Sequence, residues 1–173
     1  MSKIIVFVCT GNTCRSPMAE YYFNSEMKKN KKDFINSENS EITAVSCGLS
    51  AGHRAPMALN AKKTLASNNI ICSIDDISHE SKQIDGKIIE GADFIYGITD
   101  AHANIIKENF PQFEAKICAM PENIGDPYGG SLEVYEKCFK NIKKAVDIII
   151  AEIKKENIAE ITEITEEAED AGE

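Results

Sequence analysis

From Lys3 the chain runs apolar through Ile4-Ile5-Val6-Phe7-Val8-Cys9 and then meets Thr10-Gly11-Asn12. A short apolar run closed by turn formers reads as a strand buried on both faces. Ser16-Pro17 then opens a helix, with Ser16 as its N-cap and Pro17 in the first turn. Its apolar positions Met18, Tyr22 and Met27 lead into a basic run at 28–32 and a polar surface loop at 36–40. Ile42 to Cys47 predicts a second strand. A helix from Pro56 to about Asn68-Asn69 follows, then a third strand from Ala92 to Ile98. Thr99 caps the next helix, which stops before Phe110-Pro111, and Ala115 to Met120 is a fourth strand. Beyond a loop rich in Pro and Gly, Leu132, Tyr135, Phe139, Ile142, Val146, Ile149 and Ile153 recur at steps of three and four. That spacing draws one apolar stripe on a long amphipathic helix.

Strands alternating with helices imply βαβ units. The expected fold is α/β, a three-layer α/β/α sandwich on a four-stranded parallel sheet, Rossmann-like in type. In such sheets a ligand sits beyond the carboxyl ends of the strands, so the loops after the strands are where chemistry is sought. At 173 residues the chain is sized for one domain. That domain is expected to span 1–155. Residues 156–173 hold eight acids and no base, and read as an acidic extension, frayed or disordered. The tail accounts for most of the net charge of −9, because the body carries 20 acids against 19 bases. A near-neutral body argues against a nucleic-acid partner.

No stretch approaches the roughly 20 apolar residues of a membrane span, and the start leaves no room for a secretory apolar segment. A protein that meets no membrane and stays in the cytoplasm is expected. The six cysteines (Cys9, Cys14, Cys47, Cys72, Cys118 and Cys138) then read as free thiols of a reducing compartment. Cys47, Cys72, Cys118 and Cys138 are expected as small core residues. His53, His79 and His102 show no ligand spacing beside a cysteine, so no metal is expected.

The informative segment is Cys9-Thr10-Gly11-Asn12-Thr13-Cys14-Arg15-Ser16-Pro17, which runs from the end of the first strand to the start of a helix. Seven residues, Cys9 to Arg15, suffice to wrap a tetrahedral oxyanion with inward-pointing N–H groups, above a helix N-terminus that adds partial positive charge. Gly11 and Asn12 are residue types that tolerate the positive φ of such a nest. The same field, with a guanidinium beside it, favours Cys9 as an ionised nucleophile at neutral pH. Ser16 would donate to the sulfur when it leaves, and the planar fork of Arg15 would grip two oxygens, which lysine cannot do. Only Arg15 and Arg54 are arginines among 19 basic residues, so an arginine six places after a strand-end cysteine stands out. Asp126, in Asp126-Pro127-Tyr128-Gly129-Gly130 after the fourth strand, is the carboxyl placed to protonate a leaving atom and then activate water.

Cys9 to Glu20, together with residues 126–130, resembles the low-molecular-weight protein tyrosine phosphatase family, over about 1–155. The resemblance implies a phosphoprotein phosphatase that works through a cysteinyl-phosphate and takes phosphorylated proteins as substrates, with no cofactor. It implies that Thr10, Gly11, Asn12, Thr13, Cys14 and Tyr128 line the phosphate and substrate site, and that Ser46 and His79 brace Asn12. A monomer is expected. Thr13 stands where tyrosine phosphatases of the family usually carry a bulky aliphatic residue. Thr13 and Gly129-Gly130 are similar to the bacterial protein arginine phosphatases, so phosphoarginine is favoured over phosphotyrosine. Cys14 is either a loop-packing thiol or a disulfide partner that protects Cys9 from over-oxidation. An arsenate reductase of the same fold would need a further close pair of cysteines, and Cys72 has none near it. A binding module without activity would be expected to lack Cys9 or Asp126.

Overall fold

The computed structural model describes residues 2–30 and 41–170, and side chains as far as 155. Four strands, β1 (Lys3–Cys9), β2 (Ile42–Gly48), β3 (Phe94–Gly97) and β4 (Ile117–Ala119), form one sheet in the order β2-β1-β3-β4, and every pairing is parallel. The helices are α1 (Arg15–Lys29), α2 (Leu59–Ser67), α3 (Gly86–Gly91), α4 (Asp100–Asn109) and α5 (Leu132–Asp170). The α/β sandwich expected from the alternation is the fold observed.

Strand β1 explains why the sheet carries helices on both faces. Ile5, Phe7 and Cys9 point into the larger core, with Met18 and Phe23 of α1 and Phe139, Ile142 and Val146 of α5. Val6 and Val8 point the other way, against Ile89, Ala103 and Ile106 of α3 and α4. Ile5, Val6, Phe7 and Val8 are wholly buried, and each such side chain contributes about 1.5–3 kcal/mol. The stripe on α5 is buried from Tyr135 to Ile153, although Leu132 at its start is exposed. The 156–173 side chains, on which the acidic extension falls, lie outside the described residues, as does the 36–40 loop.

Several predicted boundaries move for local reasons. α2 begins at Leu59, not Pro56, because Pro56 is taken up in an isolated antiparallel bridge to Glu80. β3 loses Ala92, which closes α3, and Asp93, whose carboxylate accepts from Ile4 N at 2.7 Å. β4 is only three residues long because Pro111–Lys116 winds into a 3-10 turn. The sequence reading passed over α3, although Asp85 caps it by accepting from Ile88 N at 2.8 Å. Ser16 is not the N-cap of α1. That position is Cys14, which makes no side-chain cap bond, and the Ser16 hydroxyl turns inward instead. Cys47 and Cys138 are buried as expected, but Cys72 and Cys118 are exposed, one in a loop and one on the short edge strand.

Strand order reverses direction at β1. The chain leaves β1 through α1 toward β2 and leaves β3 through α4 toward β4, so the loops after these two neighbours part. The crevice between them lies at the carboxyl ends of β1 and β3, where open sheets of this kind take ligands.

Candidate active site

The loop from Cys9 to Arg15 is fixed by its carbonyls. Cys9 O accepts from Leu49 N at 2.9 Å, Thr10 O from Ser50 N at 2.8 Å, and Thr13 O from Ala58 N at 2.9 Å. Asn12 O lies 2.8 Å from His79 Nε2. A trans peptide points its N–H opposite its C=O, and no described peptide is cis. Anchoring these four carbonyls outward therefore turns the amides of Thr10, Gly11, Thr13 and Cys14 toward the hollow of the loop. The N-terminus of α1 opens onto the same hollow with no side-chain cap and no acid in its first turn, so its first amides and its dipole favour negative charge there.

Asn12 is the hinge of this arrangement. It is fully buried and left-handed, with φ 56°. Its Nδ2 donates to Ser46 Oγ at 2.8 Å and to Ser16 Oγ at 3.1 Å, while its Oδ1 accepts from Lys82 N at 2.8 Å. Gly11 is not left-handed, contrary to expectation, and a methyl group there would meet only Thr13 Oγ1 at 3.7 Å. The tight residue is Gly48 instead, where a Cβ would lie 2.6 Å from Thr10 O. Ser16 Oγ sits 3.0 Å from Cys9 Sγ and 3.2 Å from Cys47 O, so its one proton can serve either.

Arg15 is buried and donates through Nη2 to Asp126 Oδ2 at 3.0 Å, although Asp126 itself is exposed. Asp126 is held in a turn: Tyr128 N donates to its Oδ1 at 3.2 Å and Gly130 N to Pro127 O at 2.9 Å. The turn needs Gly129 at φ 74°. A Cβ on Gly130 would lie 2.9 Å from Pro127 O. Between the loop and this turn lies a cavity of about 380 Å³, walled by Cys9, Thr10, Gly11, Thr13, Cys14, Arg15, Asp126 and Tyr128. The loop residues, Arg15, Asp126 and Tyr128 are thus brought to one place. Asn12, expected to line the site, is instead fully buried and not on the cavity wall, because its side chain is spent on the network behind the loop. Ser16, Ser46 and His79 likewise stand behind the loop rather than in the cavity.

Burial holds His79 below the ordinary histidine range, partly opposed by its bond to Asn12 O. Burial likewise pushes the thiols of Cys47 and Cys138 up to about 12, which leaves them as packing groups. Cys14 Sγ lies 3.2 Å from Tyr135 Oη of α5; burial and this contact raise the tyrosine hydroxyl, which stays protonated.

Two residues around the site, Glu20 and His102, were given no role by the sequence reading, and Thr99, read there only as a helix cap, has a second partner. Glu20 accepts from Ser46 Oγ at 2.5 Å, and burial raises its carboxyl despite that bond and Lys82. One helical turn separates it from Ser16, a spacing that puts both on one side of α1. His102, held by Thr99 at the start of α4, reaches Thr10 across the strand switch. No local signal marks that contact, because it depends on β3 lying beside β1.

Comparison with known proteins bears on the same residues. The family model described as Low molecular weight phosphotyrosine protein phosphatase matches residues 4–159. A Protein-arginine-phosphatase of Bacillus subtilis is 28% identical over 159 residues, covering 88% of this chain and 97% of that one. A Low molecular weight phosphotyrosine protein phosphatase of Saccharomyces cerevisiae is 30% identical over 149 residues, covering 80% and 87%. Among solved structures, the YwlE arginine phosphatase from Geobacillus stearothermophilus superposes with a TM-score of 0.75 at 27% identity, covering 91% of this chain and 96% of that one.

Proposed function

Because this chain belongs to the low molecular weight phosphotyrosine protein phosphatase family, we propose that it is a cytoplasmic enzyme that hydrolyses phosphoarginine in proteins through phosphorylated Cys9. The Cys9 thiolate attacks phosphorus in line with the departing guanidine nitrogen. The P–N bond breaks as the S–P bond forms, and Asp126 gives its proton to that nitrogen. Asp126 then takes a proton from water, the hydroxide attacks the phosphocysteine, and inorganic phosphate leaves. The Ser16 hydroxyl steadies the sulfur as its electrons return. Arg15 and the loop amides hold the equatorial oxygens throughout, and proton transfer by a placed carboxyl is worth about 10²–10⁴ in rate.

The observation that carries the substrate choice is Thr13 on the cavity wall. A small hydroxyl-bearing side chain there leaves room beside the phosphoryl group for a planar guanidinium and offers it an oxygen. The relatives named as arginine phosphatases support this reading. Phosphotyrosine is the second reading, supported by the yeast relative and by the exposed ring of Tyr128 at the cavity mouth, against which an aromatic substrate can stack.

Hydrolysis of matched phosphoarginine and phosphotyrosine peptides decides between them. The expected result is a higher kcat/KM on phosphoarginine, with the ratio moving toward phosphotyrosine in Thr13→Ile. An unchanged ratio retires the role of Thr13, and a wild-type preference for phosphotyrosine makes the second reading the right one. Cys9→Ser should abolish turnover of p-nitrophenyl phosphate in either case.

A further inference from the structure

Thr10 follows the nucleophile directly, and the reaction written above leaves its hydroxyl unused. That hydroxyl is tied to the other side of the strand switch. Thr10 Oγ1 lies 3.0 Å from His102 Nε2, and His102 Nδ1 lies 2.7 Å from Thr99 Oγ1. Thr99 is the N-cap of α4, and its Oγ1 also receives the backbone N–H of His102 at 3.4 Å. The first turn of α4 is pressed onto the end of β3, so the imidazole is buried and held at both nitrogens.

Counting protons gives this line a direction. Thr99 Oγ1 already accepts one N–H as the cap, which frees its own proton to point at Nδ1. A neutral ring that accepts at Nδ1 carries its proton on Nε2 and donates it to Thr10 Oγ1. The Thr10 proton is then left over, on a residue that lines the cavity with Cys9 and Arg15. The reverse polarity would have Thr10 donate to Nε2 and aim its lone pairs at an incoming anion, which is repulsive. Burial, reinforced by the charge of Arg15 and opposed by that of Asp126, lowers the proton affinity of the ring and favours the neutral form.

We infer that His102 is a positioning residue: locked as the Nε2–H tautomer by Thr99, it turns the Thr10 hydroxyl proton into the cavity as a further donor to a phosphoryl oxygen. This rests on the phosphatase reading above. The donor is worth about tenfold in anion binding, as a hydrogen bond to a charged partner.

The test uses the full chain, with inorganic phosphate as the binding probe and p-nitrophenyl phosphate as the substrate. Nitrogen-15 spectra should show His102 protonated on Nε2. Thr10→Val and His102→Leu should each weaken phosphate binding and lower kcat/KM about tenfold, and the double variant should lose no more than either alone. Thr10→Ser, which keeps the hydroxyl, should retain clearly more phosphate binding and kcat/KM than Thr10→Val. His102→Gln, whose amide N–H reaches toward Thr10, should regain most of the loss, which a merely structural histidine would not permit. A proton on Nδ1, a Thr10→Val variant that binds phosphate as wild type does, or losses that multiply in the double variant would each overturn the inference. Should His102→Leu fail to fold, the Val and Ser variants of Thr10 decide, since equal behaviour of the two removes the hydroxyl from the site. If the wild type turns over no p-nitrophenyl phosphate, the phosphatase reading fails. The phosphate titrations still report on the hydroxyl separately.

Discussion

Asn12 combines a left-handed backbone with three side-chain hydrogen bonds, and two substitutions separate these contributions. Asn12→Gly keeps the backbone and drops the network; Asn12→Ala drops both. Both should lose kcat/KM on p-nitrophenyl phosphate, and urea unfolding should find the alanine variant less stable than the glycine one by about 1–2 kcal/mol, the cost of the left-handed region. Glu20 behind the network gives a pH signature. Its folded proton affinity is raised, so above the ordinary carboxyl range the folded state holds the more protons, and stability falls as pH rises through that window. Glu20→Gln removes the effect, and its advantage over wild type in urea unfolding should be larger at pH 7 than at pH 4. The sequence announced the phosphate loop, Arg15 and Asp126 because turn residues, a strand end and a helix start surround them. It could not announce Glu20 or His102, whose roles come from partners 26 and 92 residues away.

Gly97 at the end of β3 shows how the packing of one element on another sets the site. A Cβ there would lie 2.4 Å from Ala103 N and 2.9 Å from Ala103 Cα, backbone atoms of α4 with nowhere to go. Gly97→Ala should cost about 1–3 kcal/mol in urea unfolding. It should also lower kcat/KM, because pushing α4 outward carries His102 away from Thr10. The existence and order of the long elements were legible from apolar runs and from the stripe on α5. Their ends were less so, because Pro56, Ala92, Asp93 and Lys116 are claimed by contacts from elsewhere in the chain. Lys116, for instance, reaches back to Ala92 O at 2.7 Å.

Two histidines flank the phosphate loop, His79 half-buried behind it and His102 buried beside it, and both lie below the ordinary histidine value of about 6.5. A depressed folded value means that the unfolded chain takes up protons first. The stabilisation is complete above about pH 6.5 and is lost as pH falls from there through the folded values. In a Glu20→Gln background, where the opposing carboxyl contribution is gone, urea midpoints should therefore decline between pH 7 and pH 5, and His79→Gln should flatten the decline.

The outward-anchored carbonyls of the phosphate loop carry one more consequence. Their partners come from Leu49, Ser50, Ala58 and His79, so the loop is stitched to the chain on either side of α2 as firmly as one strand is to its neighbour. Such a cradle cannot melt by itself. On slow heating, catalytic inactivation and the collapse of far-ultraviolet circular dichroism should trace a single curve, and amide exchange at Leu49, Ser50 and Ala58, the donors that anchor the loop, should be as slow as in the middle of β1.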